Sequence, residues 1–186
     1  GGRGPVGPGC AFTANGDAGR LESGSGLASC PAFANAVFEG DDRVHIASTI
    51  DAGGTLAAAP YYIDYLPVAA PGATITLERG ATLSRADYSS LTVHGNLIAN
   101  GTEAKPIMFS RAGSNAWRAL RLTNNDGAGE AKPSRRSHCT LEGGGYWHPT
   151  LLEAGGGAPL PRDHCALRNS LAHVVRFCDK SGGAIP

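Results

Sequence analysis

The chain reads as an all-β solenoid of stacked parallel strands, and three features of its 186 residues point there. The first is a recurring triplet with apolar residues at both ends: Ile75-Thr76-Leu77, Leu91-Thr92-Val93 and Ile107-Met108-Phe109. Their starts are sixteen residues apart both times, and period-2 alternation turns the apolar members of each triplet to one side. The second is size: a unit this short cannot enclose a core and must stack on copies of itself. The third is glycine, 27 residues placed between short apolar runs without a Gly-X-Y period. On this reading Ile75, Leu91 and Ile107 lie one above another in successive coils.

Length and charge bound the function. A chain of this size supports one domain with a real core. Sixteen basic residues balance sixteen acidic ones, so no net field draws nucleic acid or an anionic membrane. No apolar run approaches the roughly twenty residues that span a bilayer, so no transmembrane segment is expected. No secretory signal is present, and the chain reads as a mature form or a fragment. Five cysteines favour an oxidising compartment, and the absence of CxxC or CxxxC spacing argues against structural zinc.

Taken in order, residues 1–9 are a flexible Gly/Pro tail with too few apolar side chains to fold alone. Residues 10–45 read as a cap. Cys10 and Cys30 flank a Gly/Ser/Asn-rich loop and are the expected disulfide, and the run from Pro31 to Phe38 suits a short helix bearing Phe33 and Val37. Such a cap would cover the apolar surface and open strand edges of a first rung. The solenoid occupies 46–186, its pattern already starting at Val44-His45-Ile46. The stretch Pro60-Tyr61-Tyr62-Ile63-Asp64-Tyr65 extends that pattern toward Pro67-Val68, and Pro71-Gly72 marks a turn before Ile75. Each coil is expected to hold a second strand after a bend: Ala81-Thr82-Leu83, Asn96-Leu97-Ile98 and, past a loop holding Trp117, Ala119-Leu120-Arg121-Leu122. His138-Cys139-Thr140-Leu141 and His164-Cys165-Ala166-Leu167 are near copies 26 residues apart, with both cysteines and both leucines facing inward. Loops 123–137 and 142–163, rich in Gly, Pro and charge, should project from the body. The last strand is Val174 to Cys178, with no polar cap after it, so the end is expected to be covered by more chain or by another molecule.

The run from Pro60 through Pro71-Gly-Ala-Thr-Ile-Thr-Leu-Glu-Arg-Gly-Ala-Thr-Leu83, Leu91-Thr-Val-His-Gly-Asn-Leu-Ile-Ala-Asn-Gly-Thr102 and Lys105-Pro-Ile-Met-Phe-Ser110 to Trp117 resembles bacterial secreted or surface proteins of the right-handed parallel β-helix, pectate-lyase-like class. The match covers residues 60–122 well and 138–178 loosely. The resemblance implies the fold, and an extracellular or cell-surface setting that includes a bacterial outer membrane or periplasm. It implies no reaction, because that scaffold hosts lyases, hydrolases, adhesins and passive repeats alike. The Asn-Thr-Asp, Gly-His-Gly and Arg-Ile-Lys phrases of its polygalacturonase-like enzymes do not occur here, and Asp41-Asp42 precedes the rungs.

Several constellations carry chemistry on paper. In the sixteen-residue register Glu78, His94 and Ser110 share a column with the acid, base and nucleophile types of acyl transfer. They sit at solvent-facing bends without oxyanion donors, so the column is read as ordinary polar surface and no catalytic residue is assigned. His138 and His164 form another column; two imidazoles without a carboxylate are a poor metal site. Cys139 and Cys165 are expected as inward neighbours, as buried thiols in preference to a disulfide with each other or with Cys178. Asn124 and Asp126, in a Gly-containing loop, offer oxygen ligands to calcium, the only cofactor the sequence suggests, and are read first as a turn. Tyr146 and Trp147 are the candidate ligand-binding residues, as surfaces for stacking on sugar rings. The expected function is a secreted or surface structural and interaction protein. Its partners would be protein, including self-association through the open end, or glycans. The alternative is a polysaccharide-binding or polysaccharide-degrading β-helix.

Overall fold

The computed structural model describes residues 11–13, 19–21, 37–39, 43–46, 49–50, 53–64, 68–123, 134–147, 150–155 and 162–177. Among these residues there are strands, turns and bends but no helix. All named strand pairs are parallel. They make three faces that the chain visits in rotation, which is a parallel β-solenoid.

The first face has seven strands: Gly19–Leu21, Val44–Ile46, Pro60–Ile63, Thr82–Arg85, Ile107–Arg111, Cys139–Glu142 and Ala166–Arg168. The second has five: Val68–Ala69, Leu91–Val93, Leu120–Leu122, Thr150–Ala154 and His173–Phe177. The third also has five: Gly54–Leu56, Thr74–Leu77, Asn96–Asn100, Arg135–Ser137 and Arg162–Asp163. A separate parallel pair joins Ala11–Thr13 to Val37–Glu39. Val37–Glu39 is therefore extended, not the end of a helix: a β-branched and an aromatic residue here find a parallel partner for their backbone groups. Gly19–Leu21, placed by sequence within the cap, is the outermost strand of the first face. The rest of 31–36, and Cys10 and Cys30, lie outside the described residues.

The fold matches the expected class, but the register does not. Ile75 lies on the third face, Leu91 on the second and Ile107 on the first. What stacks is different: Ile75 under Leu97, Leu91 under Leu120, and Ile107 under Cys139. One full turn takes 22 residues from Tyr61 to Leu83, 26 to Phe109, 32 to Leu141 and 26 to Leu167. The sixteen-residue spacing is about two-thirds of a turn. All three faces alternate inward and outward, so an apolar triplet announces an inward-facing strand without saying which wall it belongs to.

Inward side chains close the core in continuous columns. Val44, Tyr61, Leu83, Phe109 and Leu141 stack along the first face, all buried, and Leu167 continues them half-buried. Leu91, Leu120, Leu152 and Val175 do the same on the second. Loops 123–137 and 142–163 contain three strands the sequence reading left out: Arg135–Ser137, the wholly buried Thr150–Ala154, and Arg162–Asp163. Three walls per turn require them; two do not.

Corners are set by single residues. Gly95 lies so close to the turn below that a Cβ would overlap the Ala73 carbonyl oxygen, which is why a glycine follows His94. His138 and His164 each turn the corner from the third face to the first with a left-handed backbone, φ 47° and 49°.

Candidate functional site

Where the first face turns toward the second, four corner segments lie over one another. Tyr88 N–H donates to the Ala116 carbonyl, Tyr146 N–H to the Trp117 carbonyl, and Leu171 N–H to the Gly144 carbonyl. The ladder of the sheets thus continues through the bends, and it fixes side chains that would otherwise sit on free loops. Trp117 anchors the stack: it is fully buried and its indole N–H donates to the Glu142 carbonyl at 2.8 Å.

This corner frames a cleft of about 530 Å³ lined by Ser110, Arg111, Glu142, Gly143, Asn169 and the Ser170–Leu171 edge. Its chemistry is polar and balanced. Glu142 accepts from the Arg168 Nε at 2.9 Å, and Arg111 donates to the Ser114 carbonyl at 3.4 Å. An exposed ion pair of this sort is worth at most about 1 kcal/mol and leaves both groups free to exchange partners. Beside the cleft runs an aromatic row. Tyr88 and Tyr146 are 4.5 Å apart, and Tyr146 and Trp147 lie 6.1 Å apart with planes within 6°. Trp147 is 87% exposed on a left-handed backbone, φ 48°. A second, shallower hollow of about 340 Å³ lies near the other end of the same face, where Arg43 stands over Tyr62 and His45 meets Asp64 at 3.4 Å.

The Glu78–His94–Ser110 column does not exist. Glu78 follows the third face and accepts from the Ala58 N–H at 3.3 Å. His94 follows the second, its Nδ1 2.8 Å from the Thr123 hydroxyl, and Ser110 is on the first, in the cleft. The three-wall register separates them, so no acid, base and nucleophile converge there. His138 and His164 do stack, ring centroids 4.7 Å apart and planes within 3°. The His164 Nδ1 is 2.6 Å from the Asp163 carboxylate. When both rings carry a proton, two like charges lie side by side. Among the described residues no group of three His, Cys, Asp or Glu side chains could hold a metal ion. Asn124, Asp126 and Cys178 lie outside the described residues.

Cys139 and Cys165 are neighbours on the inner side, as expected, and both are free thiols. The hydrogen bond between them and burial push the Cys139 thiol far up, while the same bond pulls Cys165 down to about 6.

Sequence reasoning missed two arginines at inward positions. Arg85 continues the column Ile46, Ile63, and Arg136 continues Leu77, Ala99. Arg85 is fully buried with no hydrogen-bond partner for its guanidinium among the described residues, and the guanidinium lies over the rings of Trp117 at 4.3 Å and Phe109 at 5.8 Å. Burial lowers its pKa to about 9. The available signal was alternation, since Thr82-Leu83-Ser84-Arg85 puts Arg85 on the side of Leu83. Set against protein-family models, curated proteins and solved structures, the chain matches none.

Proposed function

We propose that this chain is an interaction protein of an extracellular or cell-surface setting, a rigid solenoid that receives a protein partner at the end formed by its last two described coils. One observation carries the reading. The exposed large apolar side chains among the described residues, Trp147, Leu171, Val174 and Phe177, all fall within residues 147–177. Trp147, Leu171, Val174 and Phe177 are 87%, 70%, 41% and 44% exposed. Apolar surface concentrated in one region marks a contact site more often than chance exposure does. The strands there, Arg162–Asp163, Ala166–Arg168 and His173–Phe177, are the outermost of their sheets, so their edges suit the addition of another parallel coil, a second copy included. Light scattering across a concentration series tests this. Association should appear in the native chain and weaken in a Leu171→Glu, Val174→Glu variant of unchanged circular dichroism. A strict monomer that also captures no solenoid-type partner would overturn it.

A second reading has its own support. The parallel rings of Tyr146 and Trp147 beside a polar cleft offer the geometry for stacking on a sugar. Of the two tryptophans Trp117 is buried and Trp147 exposed, so oligosaccharide titration should quench the red-shifted emission alone. Unchanged emission across neutral and acidic glycans would remove the glycan reading.

A further inference from the structure

The column Ile107, Cys139, Cys165 on the first face holds the only two free cysteines among the described residues. Ile107 pairs with Cys139, and continuing the Thr140–Ala166 register by one residue places Cys165 directly over Cys139. The two environments differ sharply. Cys139 is buried between coils, its S–H within reach of the Ala99 carbonyl at 3.1 Å, the Ser137 carbonyl at 3.3 Å and the Cys165 sulfur. Cys165 is half-buried in the outermost described coil of that face, 3.4 Å from the Asp163 carbonyl. Arg136 and His138 lie near enough to favour negative charge on its sulfur. An accessible thiolate backed by a buried, protonated thiol is the arrangement of an attacking and a resolving cysteine.

We propose that Cys139 and Cys165 form a redox-active dithiol that reacts with small disulfides and fastens the last described coil to the one before it. The Cys165 thiolate attacks one sulfur of R–S–S–R, that bond breaks, RS⁻ leaves and a mixed disulfide forms. The Cys139 thiol then gives up its proton and attacks the Cys165 sulfur, releasing the second RS⁻. Two protein thiols are oxidised by two electrons and one small disulfide is reduced to two thiols. Strands at about 4.8 Å satisfy the Cα separation of a disulfide. The Cβ atoms must close by roughly half an ångström or more. Cys165 can supply that movement because its strand has a described neighbour on one side only.

The test uses the reduced full-length chain equilibrated with oxidised glutathione at graded ratios, followed by peptide mapping in a mass spectrometer. A Cys139–Cys165 linkage should grow with the oxidant and slow hydrogen exchange at 166–168. Cys139→Ser should leave glutathione trapped on Cys165. In the native chain the Cys165 peptide should alkylate with a midpoint below the ordinary thiol range, moving back toward that range in Cys139→Ser. The native mapping stands even if the variants do not fold. Cys165 staying unmodified at every ratio, or bridging to Cys10, Cys30 or Cys178 while Cys139 remains free, would overturn the proposal.

Discussion

Phe109 and Leu167 occupy one inward column, two turns apart, and the contrast between them organises the molecule. Phe109 lies between Leu83 and Leu141, with the Arg85 guanidinium over its ring, and is wholly buried. Leu167 has Leu141 on one side and no described strand on the other, and it stays half-exposed. Both satisfy the same alternation. In a solenoid the energy of an inward residue is set by the coils on either side of it, so stability is distributed along the axis and falls toward an end.

The largest expected effect tests that contrast directly. Phe109→Ala should cost about 4 kcal/mol by denaturant unfolding, whereas Leu167→Ala should cost about 1 kcal/mol. Equal losses would mean that the outer coil is packed as tightly as the inner ones. Next comes the corner: Gly95→Ala should cost about 3 kcal/mol, because the Ala73 backbone cannot retreat from the new methyl group. Gly72, with φ 79° and nothing within 4 Å, is its control, and Gly72→Ala should cost only about 1 kcal/mol of backbone strain.

Arg85 and Arg111 give a second matched pair, since they are register partners on the first face. Arg85 is sealed without a hydrogen-bond partner among the described residues, and Arg111 is exposed. Arg85→Met should stabilise the protein by about 1 kcal/mol, the desolvation relieved outweighing the lost contact with Trp117. Arg111→Met should be neutral in the same melts, and a loss at Arg85 would show that ring stacking dominates. The smallest effect is expected at Trp147, where Trp147→Ala should alter stability by less than about 0.5 kcal/mol. It should shift the remaining fluorescence toward the buried Trp117. A large destabilisation would make the aromatic row a structural prop, not a contact surface.

Much of this was legible in residues alone. Thr82–Arg85, Asn96–Asn100 and Leu120–Leu122 are strands where the alternation placed them. The His138 and His164 phrases stack with the 26-residue offset read from their likeness. The candidate site was less legible. Tyr146 and Trp147 were recognisable as residue types suited to a ligand. Nothing local, however, reveals that Gly143 to Gly145 lies against Asn169 to Ala172, because that proximity is made by hydrogen bonds between turns.

By itself the sequence determined that strands form, which side chains they bury and that they must stack, because a two-residue period and the need to hide apolar surface are local facts. Only the tertiary structure decided that Ile75, Leu91 and Ile107 belong to three different walls. It also decided that Glu78, His94 and Ser110 never meet. The number of walls per turn is fixed by how the chain closes around its core, and no single strand carries that information.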